Sequence, residues 1–307
     1  MAQPLALRLY LAWSARRGTR FAERKLEDRL AAGKEDRARV DERRGIASLP
    51  RPKGKLVWFH AASVGESLAL LELIRQLLDA RDDLSILVTT GTVTSAALMG
   101  ERLPERAVHQ YVPLDARDYV TRFLDHWQPD LAIWTESELW PCLIETTAGR
   151  DIPMLLINAR MSKASHDKWR FLRRVARHLL NRFSHALVQD DLTEIYLRRL
   201  GLSPDRMEVT GTLKEGAAAL PADEGVLSRM RADLAGRPVW LAASTHPGEE
   251  EKVLEAHRVA LKANPRLLLI LVPRHPDRGD DLAEMLERDG WSHARRSAGA
   301  HPSGQTQ

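Results

Sequence analysis

The sequence predicts an α/β protein with two doubly wound domains, each built on a parallel sheet covered by helices. Two observations carry this prediction. From Leu56 onward, short apolar runs alternate with helical periods, and strands that alternate with helices belong to parallel sheets. The chain of 307 residues also exceeds the usual size of one domain, and ALPADEGVLS, at 219–228, is predicted to be a linker between two such series.

The elements of the first series follow in chain order. Strands are predicted at the apolar runs LVWFHAAS, LSILVTT, AVHQYVPL, LAIWTES, PMLLINAR, HALVQ and MEVTGTL. Helices are predicted between them at SLALLELIRQLLDA, TSAALMGERL, ARDYVTRFLDHW, LWPCLIETTAG, RFLRRVARHLL and DLTEIYLRRLG. The second series is shorter, with strands at VWLAAST and RLLLILVP and helices at EEEKVLEAHRVALKA and DDLAEMLERDG.

These patterns divide the chain into four segments. They are a helical arm (1–55), an α/β domain (56–220), a partial α/β domain (221–291) and a tail (292–307). The tail reads SHARRSAGAHPSGQTQ, has no apolar period and is predicted to be disordered. The partial domain has too few strand–helix units for a full sheet, so we expect an exposed sheet edge.

The composition excludes several classes of protein. Charged residues make up 29% of the chain and hydrophobic residues 44%, which excludes a disordered, collagen-like or coiled-coil protein. The single cysteine, Cys142, excludes a disulfide scaffold and a cysteine-built zinc site, and it suits a reducing compartment. Neither G-x-G-x-x-G nor G-x-x-x-x-G-K-[ST] occurs, which weakens the dinucleotide-binding and P-loop hypotheses.

The N-terminal arm is basic and begins with an apolar run. Residues 1–55 hold 15 Lys/Arg against 7 Asp/Glu, and residues 3–13 read QPLALRLYLAW. That run is too short to span a bilayer. Two alternatives stay open: an interfacial helix with leucines in the acyl boundary and arginines on anionic headgroups, or a helix packed on its own domain. The segment 25–45 alternates acids and bases and is predicted to be a solvated helix.

Polar residues follow several predicted strands, where the chemistry of parallel sheets gathers. SVGES places Glu66 in the first turn of a helix, either as a general base or as a helix-capping acid. TESELWP brings Glu136 and Glu138 to another strand end, where an acid/base pair competes with a simple helix start. Lys214 lies at the domain edge, where a solvated lysine is the alternative.

Two loops of the second domain predict an anionic ligand. STHPGEEE is a turn that opens a helix and presents backbone N–H groups to a phosphate. PRHP offers Arg274 as a planar fork for phosphate or carboxylate. A zinc site at His246 and His275 is weakly supported, because no ligand cluster surrounds them, and no metal or cofactor is expected. The candidate binding residues of the two loops are Ser244, Thr245, His246, Gly248, Glu249, Arg274 and His275.

Assembled in order, these motifs resemble the 3-deoxy-D-manno-octulosonic acid (Kdo) transferases, glycosyltransferases that modify lipid A. The resemblance runs from about residue 5 to residue 290. Its motifs are GKEDRARVDERRG, HAASVGES, VTTGTVTS, QYVPLD, ESELWPCLI, INARMS, VTGTLK, ASTHPGEEE and VPRHPDR.

The resemblance implies a GT-B fold, in which two Rossmann-like domains face a cleft, the second of them incomplete here. It implies an inverting transfer of Kdo from CMP-Kdo, held by the second domain, to a lipid A precursor (lipid IVA), held by the first. It also implies a monotopic protein on the cytoplasmic face of the inner membrane, which favours the membrane-anchoring alternative for residues 3–13.

Site residues carry over motif by motif. Glu66 of S-V-G-E is implied as the proton acceptor, and Glu136 of E-x-E-L-W-P stabilises the transition state together with Lys214. Arg274 and His275 of P-R-H are implied to meet the CMP moiety. Lys214 belongs to the motif G-N-L-K, in which Thr212 replaces the usual asparagine, so the geometry of that loop is expected to differ.

The family's second domain normally continues, with a Met-Gly-Glu segment and an Asn-Pro-Leu-Glu turn that bind the donor and do not occur here. A truncated or frameshifted gene is the expected explanation, with a natural short form as the alternative. The rival functional hypotheses are an inactive relative that keeps only acceptor-lipid binding, and a nucleotide-sugar epimerase, against which the apolar arm argues. No nucleic-acid partner is expected, because the body is net negative and has no aromatic–basic stripe.

Overall fold

The computed structural model describes residues 3–135, 139–213, 222–234 and 236–307. Glu136, Glu138 and Lys214 lie outside the described residues. The chain divides into two units, Met1–Ala218 and Ala219–Gln307, and each has a hydrophobic core of its own.

The strands of unit 1 are β1 (Lys55–Ala61), β2 (Leu84–Thr90), β3 (Ala107–Tyr111), β4 (Leu131–Thr135), β5 (Met154–Ala159), β6 (His185–Val188) and β7 (Met207–Val209). Among the described residues these seven strands form one parallel sheet in the order β3-β2-β1-β4-β5-β6-β7. The order reverses between β1 and β4, since the chain winds outward in one direction before this pair and in the other direction after it. Open parallel sheets bind ligands at such a switch point.

Helices cover both faces of this sheet. They are α1 (Leu5–Trp13), α2 (Thr19–Ala31), α3 (Val64–Ala80), α4 (Val93–Arg102), α5 (Arg117–Trp127), α6 (Pro141–Ala148), α7 (Lys163–Phe171), α8 (Arg173–Leu180) and α9 (Asp191–Leu200). Successive residues of β1 enter opposite cores: Trp58 packs in one and Phe59 in the other. A strand buried on both faces explains the continuous apolar runs of the sequence, and the predicted α/β class is confirmed.

The arm is packed on unit 1 along one side only. Leu7 of α1 is buried in the core, and the Tyr10 hydroxyl donates to Asp115 at 3.0 Å. Leu9, on the opposite side, is 63% exposed, and Leu5 is equally open. The helix is therefore packed on its own domain through one face, and its other face is exposed. Among the described residues, no helix is long and apolar enough to cross a bilayer.

The prediction of a solvated helix across residues 25–45 is wrong. The helix α2 ends at Ala31, and a 3₁₀ segment, Arg37–Arg44, follows. Glu35 and Arg43 are buried and form an ion pair, with Nε and Oε2 2.9 Å apart. Arg43 also donates to the Val112 carbonyl at 3.0 Å, beyond the end of β3. Glu35 and Arg43 thus pair with each other and with the sheet rather than with water, whereas other charged residues of the segment, such as Lys25 and Lys34, are exposed.

Unit 2 is a small parallel α/β unit. Its described strands, β8 (Val239–Thr245) and β9 (Leu268–Pro273), pair in parallel, and its helices are α10 (Glu224–Leu234), α11 (Glu249–Ala263) and α12 (Gly279–Arg288). The helix α10 begins inside the segment predicted to be a linker. The side chain of Asp223 accepts a hydrogen bond from Val226 N at 2.8 Å, which starts the helix despite Gly225.

The tail also differs from the disordered segment expected. The guanidinium of Arg237 donates to the carbonyls of Ser303 and Thr306, at 3.1 and 2.7 Å. At the start of this segment, Trp291 is buried in the core of unit 2 with Leu282. Backbone carbonyls supply these contacts, and composition alone does not predict them.

Two glycines of the arm provide a test of how the 3₁₀ segment is seated. Gly45 (φ +76°) and Gly33 (φ +67°) both require the left-handed region, but only at Gly45 would a Cβ overlap the carbonyl of Tyr119 in α5. We expect Gly33→Ala to lower the free energy of unfolding by about 1–2 kcal/mol, through backbone strain alone. Gly45→Ala should cost about 1–3 kcal/mol more, through the overlap.

Urea unfolding followed by the fluorescence of the buried tryptophans of unit 1 measures both losses. Equal losses for the two variants would contradict the close approach of the 3₁₀ segment to α5.

Candidate active site

Glu66 lies in the first turn of α3, directly beyond β1 and therefore at the switch point of the sheet. Its buried carboxylate accepts three hydrogen bonds. Oε2 accepts from the Ala62 N–H at 2.8 Å and from the Thr135 hydroxyl at 3.1 Å, and Oε1 accepts from the Ser63 hydroxyl at 2.6 Å. The side chain is thereby held in one orientation.

The sequence S-V-G-E explains this local structure. Ser63 is the N-cap of α3, and its Oγ also accepts from the Glu66 N–H at 3.4 Å. A serine N-cap with glutamate three residues later is the pattern of a capping box, and here the Glu66 carboxylate accepts from the N–H of Ala62, the residue before the N-cap. The capping role predicted as one alternative for Glu66 is confirmed. The same contacts place its carboxylate at the switch point.

Thr135 joins the two strands that flank the switch point. Its hydroxyl, at the end of β4, lies 3.0 Å from the His60 carbonyl of β1 and 3.1 Å from Glu66 Oε2. Thr135 is also the residue before Glu136. The described structure therefore brings the start of TESELWP against Glu66, although Glu136 itself lies outside it. Sequence analysis placed Thr135 at a strand end, in TESELWP, but assigned it no role, because its partner depends on which strands are neighbours.

His60 lies beneath this site as a neutral ring. Burial lowers the pKa of His60 to about 4, so the imidazole carries no charge near neutrality. Its Nδ1 lies 3.1 Å from the Thr89 hydroxyl, and its Nε2 has no hydrogen-bond partner in the part of the chain that the structure describes. The rings of Trp134 and Trp140 pack edge-on against it. The floor of the site is therefore aromatic and uncharged.

Asn158, near the end of β5, forms hydrogen bonds with two other segments at the same edge of the sheet. Its backbone adopts φ +50°, and its Oδ1 accepts from the Leu213 N–H at 3.1 Å. Its carbonyl accepts from Gln189 Nε2 at 2.9 Å. The ends of β5 and β6 are thus tied to the residue that precedes Lys214. Lys214 itself lies outside the described residues.

Asp115 is a buried carboxylate that sequence analysis missed. Its Oδ1 accepts from the Leu143 N–H at 2.9 Å and its Oδ2 from the Cys142 N–H at 3.2 Å, so it caps the N-terminus of α6. Oδ2 also accepts from Tyr10 of the arm. Burial raises the pKa of Asp115, and the hydrogen bonds from these donors partly offset that rise. The only sequence signal for this role is its place in QYVPLD, before a helix.

In unit 2, the structure brings the two predicted loops together. The Arg274 N–H donates to the Thr245 carbonyl at 2.9 Å, and the rings of His246 and His275 lie 6.1 Å apart, edge to face. Ser244 and Gly248 of the first loop both have positive φ, +61° and +89°. The turn before α11 is therefore tight, as the Gly in STHPGEEE implies.

Two acids of these loops contact donors of unit 2, and the sequence predicts one of these donors to face an anionic ligand. Glu249 Oε2 accepts from the His246 N–H at 2.8 Å and so occupies a backbone donor that was expected to face a phosphate. Glu250 is buried and pairs with Arg278 at 2.7 Å. Burial would raise the pKa of Glu250, but the guanidinium and other donors hold it below its usual value. Within the described residues, no ion pair engages the exposed Arg274.

In the described part of the chain, no three His, Cys, Asp or Glu side chains are grouped so as to hold a metal ion. His246 and His275 form a pair without a third ligand.

Comparison with known proteins identifies relatives across both units. The sequence model of the family described as 3-Deoxy-D-manno-octulosonic-acid transferase (kdotransferase) matches residues 38–217. The chain is 39% identical over 274 residues to the probable 3-deoxy-D-manno-octulosonic acid transferase, mitochondrial, of Arabidopsis thaliana, covering 88% of this chain and 61% of that protein. It is 36% identical over 278 residues to the 3-deoxy-D-manno-octulosonic acid transferase of Haemophilus influenzae, covering 88% and 64%. The chain thus spans less than two thirds of the length of either relative.

Solved structures resemble the chain in fold. The UDP-GlcNAc 2-epimerase from Neisseria meningitidis bound to UDP-GlcNAc superimposes with a TM-score of 0.52 at 11% identity, covering 76% of this chain and 69% of that one. The S. aureus MnaA–UDP co-structure gives 0.50 at 12% identity, covering 76% and 65%. At these identities the likeness shows the fold alone, and it confirms the predicted Rossmann-like fold of the GT-B type.

The capping box can be tested by a double-mutant cycle. Because Ser63 and Glu66 exchange hydrogen bonds, we expect Ser63→Ala and Glu66→Ala to couple by about 1 kcal/mol in the free energy of unfolding. The matched control pairs Ser63→Ala with Glu72→Ala, which lies farther along the same helix and contacts Arg75 instead. That pair should be additive. Urea unfolding measures both cycles, and additive effects for Ser63 and Glu66 would contradict the reciprocal contact.

Proposed function

The chain belongs to the 3-deoxy-D-manno-octulosonic acid transferase family, and from this premise we propose that it transfers Kdo from CMP-Kdo to a lipid A precursor, lipid IVA, with inversion. The observation that carries the proposal is the carboxylate of Glu66, fixed at the switch point by Ala62, Ser63 and Thr135.

Glu66 is the proposed general base. A carboxylate offers about four acceptor positions, and within the described part of the chain three are occupied, which leaves about one for a substrate hydroxyl. In the proposed step this hydroxyl, on the glucosamine C6 of the acceptor, gives its proton to Glu66. Its oxygen forms a bond to the anomeric carbon of Kdo while the bond to the CMP phosphate breaks, and the electron pair leaves with CMP. Such a base contributes about 10²–10⁴-fold to the rate.

Charged side chains of both units are proposed to stabilise the remaining charges of the transition state. Glu136 and Lys214 are proposed to stabilise the oxocarbenium-like centre and the leaving group, as the resemblance implies. In unit 2, Arg274 and His275 are proposed to bind the CMP phosphate. The exposed guanidinium of Arg274, free of any described ion pair, supports this assignment, because a planar fork binds phosphate in two-point fashion. The turn at 244–249 is proposed to complete that site.

The acceptor is a lipid, so we propose that the protein works at the cytoplasmic face of the inner membrane, with α1 in the interface. The outward side of α1 carries Leu5, Leu9 and Trp13, all exposed, and Arg16 and Arg17 follow in the next turn. An apolar stripe beside cations is the composition of an interfacial helix.

A second candidate function is acceptor-lipid binding without transfer. It is favoured by the acids of unit 2, because Glu249 occupies the His246 N–H group and Glu250 pairs with Arg278, where an anionic donor would otherwise bind. The family places the donor on this unit. The two candidates share Glu66, the arm and the acceptor, and they differ in whether CMP-Kdo is consumed.

The decisive experiment is Kdo transfer from freshly prepared CMP-Kdo to a tetra-acylated lipid A precursor. We expect Glu66→Gln, which keeps the shape of the side chain, to lower kcat by about 10²–10⁴-fold. The matched control, Glu72→Gln, alters an acid of the same helix that pairs with Arg75 and should leave transfer unchanged. Transfer unaffected by Glu66→Gln would remove Glu66 as the base. No transfer by the parent chain, with lipid still bound, would establish the second candidate.

The role of α1 has its own test in vesicle sedimentation. Leu9→Glu places a charge on the exposed side of the helix and should weaken binding to anionic vesicles by about tenfold or more, because a buried leucine is worth about 1.5–3 kcal/mol. The control, Val259→Glu, alters a residue of α11 that is 62% exposed. Equal binding by the two variants would contradict membrane insertion of α1.

A further inference from the structure

The corner between α7 and α8 exposes large apolar side chains. Residues 170–174, with the sequence RFLRR, are all exposed. Phe171 is 83% exposed, the highest value among the large hydrophobic residues that the structure describes, and Leu172 is 50% exposed. Two adjacent apolar side chains with this exposure are unusual on a surface that faces only water.

Packing inside unit 1 does not account for these side chains. His166 of α7 stacks on Tyr196 of α9, and Val175 and Leu179 of α8 are buried in the core. The corner itself is held by the backbone, since the Leu172 N–H donates to the Trp169 carbonyl at 3.0 Å. The two helices are therefore anchored by other residues, and the corner presents Phe171 and Leu172 outward.

The charge around the corner has one sign. From Lys163 to Arg182 the sequence contains seven Lys/Arg and a single acid, Asp167. In the described part of the chain, Arg170, Arg173 and Arg174 form no ion pair, whereas many other arginines of unit 1 do. Unpaired cations next to exposed apolar groups match a surface that is anionic outside and apolar beneath.

The corner and the arm lie on the same face of the sheet. Leu7 of α1 and Val175 of α8 enter one core cluster. Gln3 and Arg182, near the outer ends of the two helices, both donate to Glu145 of α6 at 2.7 Å. The helix α8 spans about 12 Å, so the corner is one short helix away from this meeting point.

We propose that the α7–α8 corner is a second membrane contact, which inserts Phe171 and Leu172 into an anionic bilayer while Arg170, Arg173 and Arg174 bind lipid phosphates. The inference deepens the proposed function, because it defines a second point at which the acceptor-bearing surface is held. Single interfacial anchors bind reversibly, and stable attachment takes two signals. In this proposal the arm supplies one of the two signals and the α7–α8 corner supplies the other.

The experiment measures binding to vesicles and uses no CMP-Kdo, so its outcome is independent of Kdo transfer. Sedimentation with vesicles of phosphatidylcholine and phosphatidylglycerol is compared with vesicles of phosphatidylcholine alone. The double variant Phe171→Ser/Leu172→Ser should bind the anionic vesicles about tenfold more weakly or worse. Arg173→Gln/Arg174→Gln should show a similar loss at low salt, and high salt should shrink the difference from the parent.

Two controls separate insertion from other effects. Val259→Ser changes an exposed apolar residue of unit 2, and Arg81→Gln changes an exposed arginine of unit 1 that pairs with Asp83; neither should alter binding. Urea unfolding should give unchanged midpoints for all variants, because each altered side chain is exposed.

A site-specific probe tests insertion directly. The single cysteine, Cys142, is buried, so Phe171→Cys can be labelled with an environment-sensitive dye. The emission should shift to the blue with anionic vesicles, and a dye at Val259→Cys should not shift. Unchanged vesicle binding by Phe171→Ser/Leu172→Ser, with no shift at position 171, would overturn the proposal. If light scattering showed that the parent chain is a dimer and that Phe171→Ser/Leu172→Ser is a monomer with unchanged vesicle binding, the corner would instead be a contact with a second copy, and the proposal would be overturned.

Discussion

The parallel pairing of β1 with β4 is the constraint on which the site depends. It sets His60 beside Trp134 in register, so that the loop after β1 and the end of β4 meet at one edge. The Thr135 hydroxyl then reaches both the His60 carbonyl and Glu66. Neither loop has this geometry alone, because the donors to the Glu66 carboxylate come from both strands. The continuous apolar character of β1, which lets it lie at the centre of the sheet, is therefore a condition for the chemistry at its end.

The arm is connected to the same edge through a buried carboxylate. Asp115 accepts from Tyr10 on α1 and caps α6, whose first residue, Pro141, follows the segment that contains Glu136. A group that links α1 to the start of α6 also fixes the distance between the exposed side of α1 and the site. In the proposed function this matters, since the reacting hydroxyl belongs to a lipid whose chains remain in the bilayer.

The parts predicted from the sequence are those that depend on local patterns. All the strands of unit 1 follow from apolar runs, and the capping role of Glu66 follows from the spacing S-x-x-E. The errors arise where distant contacts decide. The segment that holds Glu35 and Arg43 has the composition of a solvated helix, and it is buried because residues distant in sequence, Gly91 and Val112, accept hydrogen bonds from Arg43. The contact of Thr135 with Glu66 could not be predicted for the same reason, because strand order decides which residues are neighbours. Asp223, which precedes α10 and accepts from Val226 N, is a typical N-cap residue, but Gly225 interrupts the helical pattern of the sequence.

The ligand-binding properties of unit 2 follow from a competition among its own charges. Three acids occupy the first turn of α11, where the helix N-terminus would otherwise attract an anion. One of them, Glu249, takes the His246 N–H, and another, Glu250, takes Arg278. Arg274 remains without such a partner among the described residues, at the end of β9 and bonded through its backbone to Thr245. On the proposed function, the donor phosphate is therefore bound by the Arg274 side chain. A phosphate at the turn before α11 would compete with the Glu249 carboxylate for the His246 N–H group.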